Sequence, residues 1–348
     1  MLRIGDKNIL FIREKAVPYL SFIGNEDFTL KTYNTKKNWD GTLEYSTDKS
    51  TWNTWNGTEI SSSGSKLYLR GTGNTKITGN SSDYRFIFTG SDILKINCKG
   101  NIENLLDYNT VSAGNHPTMA QYCYMYMFNG CTSLTKAPEL PATTLTLGCY
   151  SDMFKGCTSL ATTPVLPATT LDSNCYSSMF SDCTSLTIAP ELPATSLKYL
   201  CYSNMFKGCT SLTTPPSVLP ATTTGMNCCS FMFLGCTSLT TPPKLPATTL
   251  ASSCYMGMFN GCTSLTSVPE LPATTLATNC YDSMFRGCSL IKFSTTQTGE
   301  YQKAYRIPTT GTGTTADYAL DDMFTNTGGT FTGTPSINTT YYTSNTVV

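Results

Sequence analysis

The chain has 348 residues, with 23 Lys and Arg against 23 Asp and Glu, and only 13% of it is charged, about half the usual share of roughly 25%. A zero balance with no basic run disfavours nucleic acid, which requires clustered cations to displace counterions, and a polybasic grip on anionic lipid. No stretch reaches the ~18 continuous apolar residues of a membrane span, and a single histidine, His116, leaves most triads, His-metal sites and His acid–base schemes without their central residue; no enzyme activity, no cofactor, no nucleic acid and no membrane insertion are expected.

The N-terminal stretch MLRIGDKNILFIREKAVPYL is charged at Arg3, Asp6, Lys7, Arg13, Glu14 and Lys15. Those charges interrupt the apolar core that a signal peptide needs. Residues 1–118 hold 26 of the 46 charged residues and all three tryptophans, Trp39, Trp52 and Trp55. Alternating runs at Tyr19–Ile23, Phe28–Tyr33, Leu43–Tyr45, Lys66–Arg70 and Tyr84–Phe88 lie between Gly, Asn, Asp and Ser clusters. That pattern predicts short antiparallel strands, hence a small all-β, sandwich-like domain over 1–90. Ile93–Asn101 and Ile102–Leu106 read as an entry strand and a cap, giving an N-terminal cap over 91–122.

An internal repeat occupies 123–292. Fourteen of the 16 cysteines form seven C-x7-C pairs, 123/131, 149/157, 175/183, 201/209, 228/236, 254/262 and 280/288, spaced 26 residues apart except for one step of 27 at Val218. A period of 20–50 residues signals a solenoid or an array. The unit reads C-Y-x-x-M-F-x-G-C-T-S-L-T-x-x-P-x-L-P-A-T-T-L-x-x-x. Phe recurs at 128, 154, 180, 206, 233, 259 and 285, and Leu at 134, 160, 186, 212, 239, 265 and 290. Leu also recurs at 145, 171, 197, 250 and 276, where the fourth copy has Thr224 and Met226 is placed to fill the gap. One unit is too small to close a core, so stacking is expected to bury Phe128, Phe154, Phe180, Phe206, Phe233, Phe259 and Phe285, with Leu134, Leu160, Leu186, Leu212, Leu239 and Leu265, as continuous rows.

Within each unit, C-Y-x-x-M-F has the apolar spacing of a short helical turn, with the following Gly as its terminator. The Leu-Thr-x-x-Pro-x-Leu-Pro stretch is extended, since each Pro biases its predecessor away from helix. Proline also removes ladder donors, so strands of three or four residues are expected. A helical C-x7-C segment puts its two Cα atoms ~12 Å apart, beyond the ~7 Å limit for a disulfide. The thiols are therefore expected to be buried, apolar and unbridged. Residues 293–348 read as a degenerate coil at Asp321–Asp322–Met323–Phe324, beyond the loop Thr309–Thr315, with a covering tail.

The motif M-F-x-G-C-T-S-L, seen at 153–161 as MFKGCTSLA and at 258–266 as MFNGCTSLT, resembles the BspA-type, or Treponema-type, leucine-rich repeat of bacterial surface antigens. The resemblance covers roughly 98–292 and implies a right-handed solenoid used for adhesion or recognition. The 26-residue period is longer than is usual there, and Pro replaces aliphatic strand residues. The opening LRIGDKNI and the stretch LEYSTDKSTWNTWNGTEI…KLYLRGTGN resemble segments of bacteriophage tail-associated proteins. This second likeness implies a virion component assembled in the host cytoplasm, such as a tail fibre, with an extracellular or cell-surface adhesin and a purely structural virion part as alternatives.

Candidate sites follow from the repeat. The Thr pairs of P-A-T-T-L put hydroxyls in a row, making Thr143, Thr169, Thr195, Thr248 and Thr274 the candidate ligand-binding face, against the plainer reading of solvated turns. Trp39, Trp52 and Trp55 form a secondary aromatic candidate for stacking on sugar, against a core role. The expected partners are a bacterial surface glycan or protein, other virion proteins or further copies of the chain. C-x7-C lacks the short hairpin spacing of zinc sites, and Asp321–Asp322 lacks calcium-loop spacing, so no metal is expected. Cys228–Cys229, His116 near Cys98 or Cys123, and the GTGN and GTGTT segments at 71–74 and 311–315 are read as structural.

Overall fold

A computed structural model describes residues 17–307, 318–337 and 339–348. The opening LRIGDKNI and the Thr309–Thr315 loop lie outside the described residues. In the N-terminal part the alternating runs are strands: β1 (Leu20–Gly24), β2 (Thr29–Thr32), β3 (Thr42–Ser46), β4 (Asn53–Trp55), β5 (Ile60–Ser61), β6 (Lys66–Thr72), β7 (Phe86–Thr89) and β8 (Ile96–Lys99). Helix α1 (Asn104–Ser112) follows, kinked at Asp107 where φ is −155°. Strand β9 (Leu134–Lys136) then opens the repeat region. One sheet runs β4-β3-β6-β1-β8-β9 and a second β5-β2-β7.

The joint between the N-terminal sheet and the repeats is covalently and sterically continuous. β1 pairs antiparallel with β8, and β8 pairs parallel with β9, so the larger sheet turns directly into the strand face of the stack. Phe22 and Phe86 pack on Phe128 at 6.3 and 5.9 Å between ring centroids. One apolar core therefore runs from Leu20 to Tyr341. Gly71 of the GTGN segment touches α1 so closely that a Cβ there would overlap the Leu105 carbonyl oxygen. Its glycine is required by helix packing.

The C-Y-x-x-M-F segments are not helical. Each is a run of tight turns in which every fourth residue is left-handed: Gly148, Asp152 and Gly156 have φ of 64°, 52° and 73°, and Asn174, Ser178 and Asp182 repeat this at 59°, 52° and 61°. An α-helix cannot survive such a reset every four residues. Gly, Asn and Asp fill most of these positions because they tolerate that region; this is also why Asp182 replaces Gly without breaking the pattern. The repeat's glycine is thus a left-handed step inside the turn run, not a helix terminator.

Backbone hydrogen bonds alternate along the run. Ser151, Met153, Lys155 and Cys157 donate their N–H within the layer to Gly148, Tyr150, Asp152 and Phe154. Tyr150, Asp152, Phe154 and Gly156 donate to Cys175, Ser177, Met179 and Ser181 of the next layer, at 2.8–3.0 Å. Every buried N–H in this stretch thereby finds an acceptor, as burial demands. The strand face is the weaker one. β10 (Thr144–Leu145) and β11 (Thr170–Leu171) pair in parallel, and elsewhere the contact shrinks to single bridges such as Thr162 with Ile188 and Ile188 with Thr214. β9 keeps the expected three residues, and beyond it proline's missing donors make the strands shorter than the three or four residues expected.

The same spacing stacks the side chains. Phe128 through Phe285 form an unbroken column, with centroids 5.6–5.8 Å apart and planes within 2–10° of parallel, the offset arrangement aromatic rings favour. All seven are 0% exposed, as are Leu134, Leu160, Leu186, Leu212, Leu239 and Leu265. Leu290, by contrast, is 49% exposed and Ile291 is buried. After Cys288 the turn lacks the usual Thr, so the third residue past the cysteine is Ile291, whose N–H bonds the Cys288 carbonyl as each Leu does in its own layer. Met226 does not fill the gap at Thr224; it is 53% exposed.

The far end is closed by the segments 318–337 and 339–348. Tyr281, Ser283, Phe285 and Gly287 donate to Ala319, Asp321, Met323 and Thr325, and Phe324 lies 6.3 Å from Phe285. β12 (Ser267–Val268), β13 (Phe293–Ser294), β14 (Lys303–Tyr305), β15 (Tyr341–Thr343) and β16 (Thr346–Val347) complete this end. β16 pairs in parallel with β12, while β15 lies between β13 and β14. Asn345 ties these pieces together, donating to the Thr266 and Leu290 carbonyls and accepting from the Lys292 N–H.

Two stability outcomes follow. Phe206→Ala, at the middle of the column, should cost about 3–5 kcal/mol, and in a nearest-neighbour array that loss splits unfolding into two steps; an unchanged melting curve would show that the column is not core. A second column stacks Tyr124, Tyr150, Tyr176 and Tyr202 at 5.7–6.0 Å, then breaks at the buried Cys229 before Tyr255 and Tyr281 resume it. Cys229→Phe should fill that slot and stabilise by about 0.5–2 kcal/mol. Phe suits it better than Tyr because the Tyr202 hydroxyl is already buried without a hydrogen-bond partner.

Candidate functional site

The P-A-T-T-L segments present Thr143, Thr169, Thr195, Thr248 and Thr274 to solvent, and all five are exposed. The backbone beneath them is tied between layers at two places: Thr169 donates its N–H to the Thr143 carbonyl at 3.0 Å, and Thr248 to Thr222 at 3.2 Å. Thr222 belongs to the same row, and sequence reasoning passed over it. The residue added at Val218 shifts the fourth copy by one position, yet Pro220-Ala221-Thr222 still carries the motif. Thr144, Thr170, Ser196, Thr223 and Thr249 make a second exposed row beside the first, in register through the pairs Thr144–Thr170, Ser196–Thr223 and Thr223–Thr249.

The tryptophans do not form a joint site. Trp39 and Trp55 are buried at 4% and 1% exposure and stack on each other 5.1 Å apart. Trp52 alone reaches the surface, and the Arg70 guanidinium covers its ring at 4.0 Å. Arg70 is also fixed by Glu44 at 2.7 Å and by the Tyr108 ring at 4.6 Å. Apolar burial explains the first pair, and the cation leaves one face fewer on Trp52 for stacking.

All sixteen cysteines are buried and free. Because the segments are turns, the helical distance argument does not describe them, and a different geometry governs the thiols. Cys157, Cys183, Cys209, Cys236, Cys262 and Cys288 each donate S–H to the carbonyl of the Phe one layer back, at 3.0–3.1 Å. The Phe154 carbonyl, for example, already accepts the Cys157 N–H at 3.0 Å; the Cys183 thiol occupies its second lone pair. A small apolar side chain with one weak donor suits this slot. The repeat's spacing alone held no signal for that bond.

Burial pushes these thiols upward, Cys209 and Cys288 to about 12, and raises the buried tyrosines Tyr150 and Tyr176 likewise. An acid whose folded value lies above its unfolded one gives stability that is complete below the unfolded value, near 8.5 for thiols. That stability is lost as pH climbs toward the folded value. Melting temperature should therefore fall steeply above about pH 9, and native protein at pH 8 should resist iodoacetamide while urea-unfolded protein alkylates fully. A flat alkaline melting profile would contradict the geometry.

His116 does not face Cys98 or Cys123. It sits exposed in the loop after α1, with Nδ1 2.8 and 3.0 Å from the two carboxylate oxygens of Glu103. Glu103 is 0% exposed, and burial raises its carboxyl above the ordinary value despite the His116 contact. The Asp321–Asp322 pair is likewise engaged locally, Asp322 pairing with Arg286 at 3.0 Å. Among the described residues no group of three or more His, Cys, Asp or Glu is placed to hold a metal ion, and no helix is long and apolar enough to cross a membrane.

Layers joined by parallel strand contacts on one side and by turn bonds on the other, with leucine rows between, define a repeat solenoid. The chain belongs to the BspA-type leucine-rich repeat family: the family's model matches residues 121–248 and 226–305 in six copies, more than half the chain. Repeats of this family indicate a protein-interaction or adhesion role. Comparison with curated proteins and with solved structures finds no match.

Proposed function

We propose that the protein is a non-catalytic recognition and adhesion element that lays the threonine face of its solenoid against a glycan or protein of a bacterial surface. The observation carrying this reading is the exposed hydroxyl row Thr143, Thr169, Thr195, Thr222, Thr248 and Thr274, tied between layers by backbone bonds from Thr169 to Thr143 and from Thr248 to Thr222. A surface already ordered loses little entropy on binding, and hydroxyls both donate to and accept from sugars or peptide groups.

In the same reading the protein is a receptor-binding or tail-fibre component of a bacteriophage or prophage virion. Sixteen buried, unbridged thiols support assembly in a reducing cytoplasm, since secreted proteins of this cysteine density are usually cross-linked. A secreted adhesin is the second reading, and the family match is equally consistent with it. The division of labour is a small β domain over 1–90, a cap over 91–122, seven repeats over 123–292 and a closing segment over 293–348. The direct pairing of β8 with β9 supports a rigid joint at the cap.

Changing Thr143, Thr169, Thr195, Thr222, Thr248 and Thr274 together to Ala should abolish capture on whole bacterial cells and leave circular dichroism unchanged. Full retention of cell binding would move the contact off the threonine face. Thiol titration of protein denatured in air without reductant separates the two settings: most of the 16 cysteines should titrate, and a count near zero would favour the secreted adhesin.

A further inference from the structure

The threonine row has a distinctive head. The residues one 26-residue period before Thr143 are His116–Pro117 instead of another Ala-Thr, and the Thr146 hydroxyl confirms that register by donating to the Ala120 carbonyl at 2.9 Å. Between the cap and the first threonines lies a cleft of about 320 Å³, lined by Glu103, His116, Pro117, Met119, Thr143 and Thr144. That size falls in the ~300–1,000 Å³ range of small-ligand sites. No Lys or Arg lines it.

The chemistry of the lining is selective. Glu103 brings a buried carboxylate that holds His116 Nδ1 through both oxygens, leaving the rest of the exposed imidazole facing the cleft. Thr143 and Thr144 add exposed hydroxyls, and Pro117 with Met119 adds an apolar wall. A carboxylate without a lysine or arginine beside it repels anionic ligands and draws donors of hydroxyl or ammonium hydrogens. Pyranoses combine hydroxyl donors with an apolar C–H face and match this lining.

We infer that this cleft is a seat for one terminal sugar, a neutral or amino-bearing pyranose, with the exposed His116 imidazole, Thr143 and Thr144 making the polar contacts, and the buried Glu103 carboxylate beneath them fixing the imidazole and giving the cleft its negative potential. This rests on the threonine face being the recognition face and names where along it specificity resides. The remaining threonines then contact the sugars or polymer that extend from the seated ring.

The test uses the 348-residue chain on an array of immobilised oligosaccharides ending in neutral hexoses, 2-amino-2-deoxyhexoses, uronic acids or sialic acids, alongside capture on whole bacterial cells. Wild type should capture the neutral or amino termini and not the acidic ones. Glu103→Gln keeps the shape and removes the charge, and should weaken capture about ten- to hundredfold, the usual effect of losing a charged hydrogen-bond partner; Thr144→Val removes an exposed neutral hydroxyl and should weaken it about three- to tenfold. Thr263→Val, exposed on the turn between Cys262 and Leu265, should stay within about twofold. Melting curves matching wild type keep the variants interpretable. Unchanged capture by folded Glu103→Gln, or equal capture of acidic termini, overturns the seat. Cells bound without any array signal also overturn the seat while the recognition reading stands; neither cells nor array bound overturns both.

Discussion

Alternation of backbone partners along the turn runs is the constraint from which the stack takes its form. One N–H closes a tight turn inside its layer and the next reaches the layer beyond, as Met153 and Phe154 do with Tyr150 and Met179. This alternation holds only because every fourth residue is left-handed and turns the chain back before a helix can propagate. The layer spacing it imposes is then inherited by everything else. Phenylalanine rings stack 5.6–5.8 Å apart, thiols come within reach of a carbonyl one layer back, and threonines repeat in register on the outer face.

That dependence explains a core of unusual composition. A packed interior built from sixteen thiols and stacked phenols looks like a disulfide scaffold in composition, yet each thiol is buried and free. The second cysteine of each pair is small enough to sit beneath the Phe column and polar enough to meet the Phe carbonyl. A Leu would overfill the slot, and a Ser would demand more hydrogen bonding than one occupied carbonyl offers.

Much of this was legible from periodicity. The Phe and Leu rows, the strands near Leu20, Thr29, Thr42 and Lys66, and the exposure of the threonine row all follow from spacing, because a repeat places equivalent residues in equivalent surroundings. What spacing could not convey was backbone conformation. C-Y-x-x-M-F has the apolar pattern of a helical turn, and the Gly, Asn, Asp and Ser that occupy the left-handed positions at −1, +3 and +7 from the first cysteine were the only signal against one; Leu200 and Phe231 stand among them and blur it. The pairing of Glu103 with His116 was illegible for a different reason. It joins the start of a short kinked helix to a loop 13 residues away, and no motif marks it.

The tie made by Asn345 has a consequence for local unfolding. Its side chain bonds the Thr266 and Leu290 carbonyls and the Lys292 amide, and the strand after it is the partner of Ser267–Val268. A stack of repeats frays most readily at its ends, where a layer has a neighbour on one side alone. Asn345 works against that fraying by joining backbone groups 79, 55 and 53 residues away in sequence. Opening of this end then requires three distant segments to part together, so one amide side chain converts gradual unravelling into a single cooperative step.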